Sequence, residues 1–476
     1  MPVSLLRITG GLLCLAFSVV AAAAQSDAID KYVRAEMDLR HIPGLSLAVV
    51  RNGKVVKLGH YGLADVELNV AVTDDTKFEI ASMTKQFTDA AILLLAEEGK
   101  LGLDDPVTRF LSDAPPSWKG ITIRQLMNHT AGVRDDWDED TAFFLRNQTN
   151  EDFLKALYAF PLKFAPGQEW AYGAGSFVLG LVIEKISARP YSEFMQERVF
   201  APLEMTSTSI NDVFTVLPGR ASGYRWIDGA LTRGARISPA AQARGDVGIV
   251  TTAADLAKWD VALNTPKLLS RNSLEAMFTG ATINNRFDTG SALGWFVVPW
   301  RGDQLVFHSG SFRTGFGSTH NRYVDRGLTV IVLMNQCAGG QRLGPCQTDQ
   351  PLNLATGIAA YYEPEYGLIG RMRTERDPNR GRTEKLFEFF AAASEGRLDW
   401  TAVADRSHNL YPVERLQGGV RGITALTSIA CQDTKGRRNA YGETTVCFYK
   451  ADGAPVLYWA VGFTRSGQIA YVMPEL

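Results

Sequence analysis

The chain predicts an α+β fold, and three observations carry that expectation. It opens with strand-like alternation from Leu45 to Leu58. It turns helical with long loops between about 101 and 240, and it closes with four strand-like runs between Gly294 and Met334. If the late strands join the early hairpin in one antiparallel sheet, helices flank that sheet, an all-helical lobe stands against it, and a cleft lies between. A boundary after Tyr362 leaves a tail that predicts a small α+β or β domain.

Taken in order, residues 1–24 read as an export signal. Arg7 is the early charge, Ile8 to Val20 the apolar run, and Ala21-Ala22-Ala23-Ala24 an A-x-A cleavage site. A membrane anchor is the competing reading, although the run is short for a span. Ser26 to Leu39 carries Ile29, Val33, Met37 and Tyr32 at helical spacing. Leu45–Val50, Asn52-Gly53 and Val55–Leu58 predict a hairpin with an Asn-Gly turn, and a third strand is expected around Tyr61–Glu67. From Ser82 to Glu98 runs a helix apolar nearly all round at its centre, with Gly99 placed to cap it. Further helices are expected at Ile123–Asn128, Asp152–Ala159 and Phe177–Ser187. Strands are expected at Gly294–Val298, Gln304–His308, Gly317–Tyr323 and Leu328–Met334. The domain division expected is 1–24 signal, 25–365 main domain, 366–382 linker and 383–476 small C-terminal domain. The five linker arginines (Arg371, Arg373, Arg376, Arg380 and Arg382) read as a solvated stretch or a contact patch. In the tail, a short helix at about Glu384–Ser394 precedes strand-like runs at Gly422–Cys431, Thr444–Lys450, Val456–Phe463 and Ile469–Met473.

The 476 residues are 46% hydrophobic and carry a net charge of −2, so no general attraction to nucleic acid or to an acidic membrane surface is expected. After signal cleavage no stable membrane span is expected. Cleavage removes Cys14 and leaves Cys337, Cys346, Cys431 and Cys447. An even number in an exported chain suggests disulfides, and proximity favours Cys337–Cys346 and Cys431–Cys447 among three possible pairings. With no C-x-x-C and six scattered histidines, no metal site and no cofactor are expected.

The chemistry begins at Ser82-Met83-Thr84-Lys85. Positions i and i+3 share a helix face, so the lysine amine reaches the serine oxygen without tertiary help. A serine hydroxyl needs such a base to become a nucleophile. Pro166-Gly167 leads into a loop that presents Tyr172, a side chain able to act as a base only where cations lie close. Phe307-His308-Ser309-Gly310-Ser311 ends a strand, and its glycine admits a close backbone approach. Asn128 and His129, where a helix passes into a loop, most simply tie that loop. Each feature alone also suits an ordinary helix start, core tyrosine or strand histidine.

Together, in this order, the chain from about residue 27 to 360 resembles the serine β-lactamases of class C and the related penicillin-binding D,D-peptidases, D-aminopeptidases and esterases. The marks are Ile42-Pro43-Gly44, Asn52-Gly53, Ser82-Met83-Thr84-Lys85, Asn128-His129-Thr130-Ala131-Gly132, Pro166-Gly167 before Tyr172, Gly245-Asp246-Val247-Gly248 through Asp255-Leu256, and His308-Ser309-Gly310. The resemblance implies a β-lactamase/D,D-peptidase-like fold. It implies Ser82 as the acylated nucleophile, Lys85 as the group that takes or relays its proton, and Tyr172 as the proton shuttle to the leaving group. It further implies an oxyanion hole from the backbone N–H groups of Ser82 and Ser311, with His308, Ser309 and Gly310 lining the substrate.

One position departs from the family pattern. The family's Y-x-N reads Tyr172-Gly173-Ala174 here, and alanine has no amide for a substrate carbonyl. His308 also stands where true class C enzymes carry lysine. The expectation is an exported, periplasmic or secreted serine hydrolase acting on a small-molecule ester, amide or peptide substrate, a D-amino-acid amide among them. The alternatives are a β-lactamase or D,D-carboxypeptidase, or a catalytically silent protein that binds a peptidoglycan-like ligand. The acyl pocket is expected from loops at about 130–165 and 210–245.

Overall fold

The computed structural model describes residues 25–134, 143–283, 287–300, 303–338, 346, 349–364, 366, 379–398, 402–404, 413–433, 443–454 and 458–475. The expected signal over 1–24 and the arginines 371, 373 and 376 lie outside the described residues.

Helix α1 (25–40) places Ile29 and Val33 in the core on one stripe. Strands β1 (Gly44–Arg51) and β2 (Lys54–Asp65) follow as a hairpin. Its two turn residues, Asn52 (φ 50°) and Gly53 (φ 73°), are both left-handed, the turn whose twist matches paired strands. The separate third strand expected around Tyr61–Glu67 is instead the far half of β2, paired with β1 up to Gly62. Gly62 does not break the strand. Its positive φ brings the backbone so close to the Pro43 carbonyl that a Cβ there would lie 2.0 Å from the oxygen. A short β3 (Val70–Ala71) completes this edge.

The late strands are β4 (Phe296–Trp300), β5 (Asp303–Phe312), β6 (Phe316–Tyr323) and β7 (Leu328–Met334). They join the hairpin in one seven-stranded sheet of order β4-β5-β6-β7-β1-β2-β3, antiparallel throughout. Leu45 pairs with Met334 and Arg51 with Leu328 at the seam. Alternation sorts the two faces, as the period of two requires. Leu45, Leu47, Val49, Val330 and Val332 pack on α1 and on helix Asp349–Tyr362, while Ala48, Val50, Ile331 and Leu333 face the larger core.

That larger core holds α2 (Thr84–Glu97), whose residues Thr84 to Leu95 are all buried. Gly99, at φ 69°, closes it with an N–H to the Ala96 carbonyl. Facing it stand helices Ile123–Met127, Asn150–Ala159 and α3 (Gly175–Ser187). The first two begin with capping boxes at Thr122 and Thr149. Short strands Ser209–Ile210, Tyr224–Ile227 and Ala230–Arg233 interrupt this stretch. Helix α4 (Ala253–Ala262) lies against β1 and carries Asp260, whose carboxylate accepts from His320, Arg322 and Thr329 in the sheet.

The tail is an α+β unit with a core of its own. Helices Arg380–Ser394 and Val413–Val420 and a four-stranded antiparallel sheet bury Leu386, Phe390, Leu416, Tyr449 and Trp459 together. Arg380 and Arg382 therefore sit on a helix. Cys431 pairs with Cys447 across two neighbouring strands, and Cys337 with Cys346. Among the described residues no helix is long and apolar enough to cross a membrane.

Candidate active site

Ser82 lies at the middle of a 3-10 turn, Ala81–Met83, that feeds directly into α2. The turn is held from two sides. Ile80 N–H donates to the Ile249 carbonyl at 3.0 Å, and the Ile80 carbonyl accepts from Ser318 Oγ of β6 at 2.8 Å. Ala81, just before the serine, is left-handed at φ 46°. That conformation costs an L-residue on the order of 1–2 kcal/mol and persists only where surrounding contacts impose it.

Lys85 Nζ lies 3.3 Å from Ser82 Oγ and donates to the Asp246 carbonyl at 3.1 Å. Its side chain is buried, with 2% exposure. The Tyr172 ring centroid stands 5.0 Å from the same Nζ, close enough for an ammonium–ring attraction. Tyr172 is wedged between His129, at 4.5 Å between ring centroids, and Phe296 at 6.3 Å. Two stitched loops hold it there. Asn128 Oδ1 accepts from both Thr130 N–H and Thr130 Oγ1, Gly167 N–H donates to the Thr130 carbonyl, and Ala171 N–H donates to the His129 carbonyl. Asn128 and His129 thus tie the loop.

Strand β5 forms the opposite wall. His308 and Gly310 point to the same face, and a Cβ on Gly310 would meet the Ile80 carbonyl at 2.1 Å and the Ser82 amide nitrogen at 3.0 Å. Only a glycine lets Ser82 and the strand approach this closely. Ser311 follows, its hydroxyl donating to the Cys346 carbonyl at 3.4 Å, so the Cys337–Cys346 bridge ends beside the strand. Ala174 is buried at the N-cap of α3 and makes no side-chain cap.

Burial and the Lys85 cation push both site histidines down, His129 well below its ordinary value and His308 to about 3. Both are neutral imidazoles near neutral pH. A second buried acid lies one turn beyond Lys85. Asp89 has neither carboxylate oxygen in a close hydrogen bond, and burial pushes its carboxyl well up against the pull of Lys85 and the Ser176 hydroxyl. Among the described residues no cluster of three metal-ligating side chains occurs.

The structure thus brings Ser82, Lys85, Tyr172, His308 and Gly310 together. Two participants escape sequence reasoning. Asp246 acts through its backbone carbonyl, which leaves no trace in residue type. Asp89 does leave a signal, an acid in the apolar run Asp89-Ala90-Ala91-Ile92-Leu93.

Comparison with known proteins gives a match to the Beta-lactamase family model over residues 29–344. Protein flp of Staphylococcus aureus (strain N315) is 32% identical over 316 residues, 64% of this chain and 62% of that protein. Penicillin-binding protein 4* of Bacillus subtilis (strain 168) is 28% identical over 315 residues, 61% of this chain and 68% of the relative. The match therefore spans less than two thirds of the S. aureus protein's length. Among solved structures, the octameric penicillin-binding protein homologue from Pyrococcus abyssi aligns with a TM-score of 0.61 at 22% identity, over 92% of this chain and 88% of that one. The D-alanine carboxypeptidase AmpC from Burkholderia cenocepacia aligns with a TM-score of 0.57 at 23% identity, over 71% and 99%. These two likenesses show a shared fold.

Proposed function

Because this chain belongs to the beta-lactamase family, we propose that it is a serine hydrolase that works in two steps through an acyl-enzyme on Ser82. The observation that carries the reading is the 3.3 Å approach of the buried Lys85 amine to Ser82 Oγ, with the Tyr172 ring beside the same amine. In this reading Ser82 Oγ bonds to the acyl carbon and its proton passes to the Lys85–Tyr172 pair. The tetrahedral oxyanion takes the backbone N–H groups of Ser82 and Ser311. The bond to the leaving group then breaks, and Tyr172 returns the proton to it. Water reverses the sequence and releases the acid. Such a positioned base typically contributes about 10²–10⁴-fold, and one oxyanion donor roughly 3 kcal/mol.

For substrates we favour esters or D-amino-acid amides. Ala174 offers no amide to a peptide carbonyl, and His308 offers no cation, which weighs against a β-lactamase. The name of the B. cenocepacia neighbour supports D,D-carboxypeptidase action as the second reading. A silent binding protein would have no use for a complete Ser82, Lys85 and Tyr172 set. Residues 25–365 are proposed as the catalytic unit and 383–476 as an accessory domain. Export to the periplasm or beyond is proposed from the N-terminal pattern, and two disulfides suit such a compartment.

The test is labelling by a fluorophosphonate probe, followed by a screen of p-nitrophenyl esters, D-amino-acid p-nitroanilides and nitrocefin beside Ser82→Ala. An adduct on Ser82 with ester or anilide turnover is expected. Folded protein without any adduct on Ser82 would end the hydrolase reading, and nitrocefin turnover far above the esters would replace it with a β-lactamase.

A further inference from the structure

A cavity of about 120 Å³ lies between α3, the short helix Tyr191–Met195 and the segment 243–245. None of Ser82, Lys85, Tyr172, His308 and Gly310 lines it. Phe177, Leu181, Tyr191 and Ile210 give it apolar walls. Engineered apolar cavities of roughly 150 Å³ hold benzene, so one small ring is the size that fits here.

Two charged side chains reach the cavity. Arg244 is already paired: Nε and Nη2 donate to the two Asp246 carboxylate oxygens at 3.0 and 2.9 Å, and its guanidinium lies 5.4 Å from the Phe177 ring centroid. Glu184 differs. Its Oε1 accepts from Tyr191 N–H at 2.8 Å, and it forms no ion pair among the described residues. Glu184 is half-buried and Ser192, on the same lining, is exposed, so this end of the cavity meets solvent.

The floor of the cavity is also the segment that grips α2. The Gly245 carbonyl accepts from Thr88 Oγ1 at 2.5 Å, and the same hydroxyl meets the Tyr191 hydroxyl at 2.6 Å. The next residue, Asp246, holds Lys85 through its carbonyl, and Ile249 N–H donates to Thr84 Oγ1 at 3.1 Å. Gly180 of α3 packs on Gly245 so closely that a Cβ on it would meet the Gly245 Cα at 3.3 Å. Dense interiors transmit displacement. Filling the cavity therefore removes the space into which this segment can recede from Lys85.

We infer that this cavity is an effector site for a small primary amine carried on an apolar ring. The ring sits among Phe177, Leu181 and Ile210, the ammonium meets Glu184, and occupancy holds the segment 243–249 on α2. An ammonium gives the carboxylate a charge-assisted hydrogen bond, stronger than one from a neutral donor. An anion would meet Glu184 with like charge. A ligand that binds the gripped arrangement better shifts the population towards it. Binding at this site does not depend on the hydrolase reading, whereas its readout at Ser82 does.

Benzylamine and benzyl alcohol, alike in ring and length, are titrated calorimetrically into the full chain at pH 7. We expect saturable binding at one site, with benzylamine at least tenfold tighter. Glu184→Gln keeps an acceptor for Tyr191 N–H and should bring the two ligands within about threefold of each other. Leu181→Trp, at a half-buried position on the wall, should fill the cavity and abolish both. The Glu184→Gln ratio decides the matter even if the tryptophan variant fails to fold. Saturating benzylamine should speed fluorophosphonate labelling of Ser82 at least twofold in the wild type and leave it unchanged in Leu181→Trp. An absence of saturable binding, or an amine preference that survives in Glu184→Gln, would overturn the site. Binding as expected with no change in labelling rate would overturn the coupling to Lys85. Binding as expected in folded protein that never labels would end the hydrolase reading and leave the amine site standing.

Discussion

Gly310 lies so close to Ser82 that a methyl group on it would come within 3.0 Å of the serine's amide nitrogen and 2.1 Å of the Ile80 carbonyl. Strand β5 and the Ile80–Ser82 turn are therefore one packed unit.

Gly310→Ala should force the Ile80–Ser82 turn away from β5. A displacement near 1 Å at a reacting group costs about 100-fold, so fluorophosphonate labelling of Ser82 should slow by about that factor. The rest of the sheet keeps its pairing, and the far-ultraviolet circular dichroism should not change. Labelling at the wild-type rate would show that the close approach is irrelevant to the serine.

Asp89 makes the stability of the fold depend on pH with a definite sign. Burial holds its carboxyl well above the ordinary 3.8, against Lys85 and Ser176. Below that value both folded and unfolded chains are protonated, and nothing is gained or lost. As pH rises past it the unfolded chain ionises while the folded one keeps its proton, so stability falls until the folded carboxyl ionises too. Asp89→Asn removes the effect. Its stability gain over the wild type should be larger at pH 7 than at pH 4, by at most about 1.4 kcal/mol for each pH unit over which only the unfolded chain is ionised. Urea denaturation at both pH values measures this, and an equal difference at the two would contradict it.

The buried network at Asp260 should behave oppositely. Despite burial, Arg322, His320 and Thr329 hold its carboxyl below the ordinary range. Removing one partner of such a buried pair costs about 3–5 kcal/mol. Asp260→Ala should lose stability on that scale in thermal or urea unfolding. A loss under 1 kcal/mol would mean that the pair is not shielded from water.

In the tail, Cys431 and Cys447 sit opposite each other and close a loop of sequence separation 16. A cross-link of that span is worth about 3 kcal/mol by the chain-entropy argument. Replacing both with alanine should leave residues 425–475 the first to exchange amide hydrogens, with exchange over β1 and β7 unchanged. Uniform exchange in the two variants would show that the bridge adds nothing there.

Local rules made much of the fold legible. Asn52-Gly53 demands a hairpin because both positions need positive φ. Leu328–Met334 is apolar at every position but Thr329, because both its faces are covered. The Ser82–Lys85 approach follows from helical spacing alone. The break expected after Leu58 is absent because Gly59 stays in the ladder opposite Leu47, and a glycine that ends a strand and one that remains in it look alike in one dimension. Charge state and backbone contacts were hidden altogether. The hold of the Asp246 carbonyl on Lys85 spans 161 positions and depends on no side chain. The neutrality of His308 comes from burial beside Lys85. By itself, then, the sequence determined the hairpin, the buried helix and the approach of Lys85 to Ser82, because those depend on neighbours within a few positions. The tertiary structure decided the neutrality of His308 and the close approach of β5 to the Ser82 turn, because desolvation and long-range contacts exist only once distant segments have closed around them.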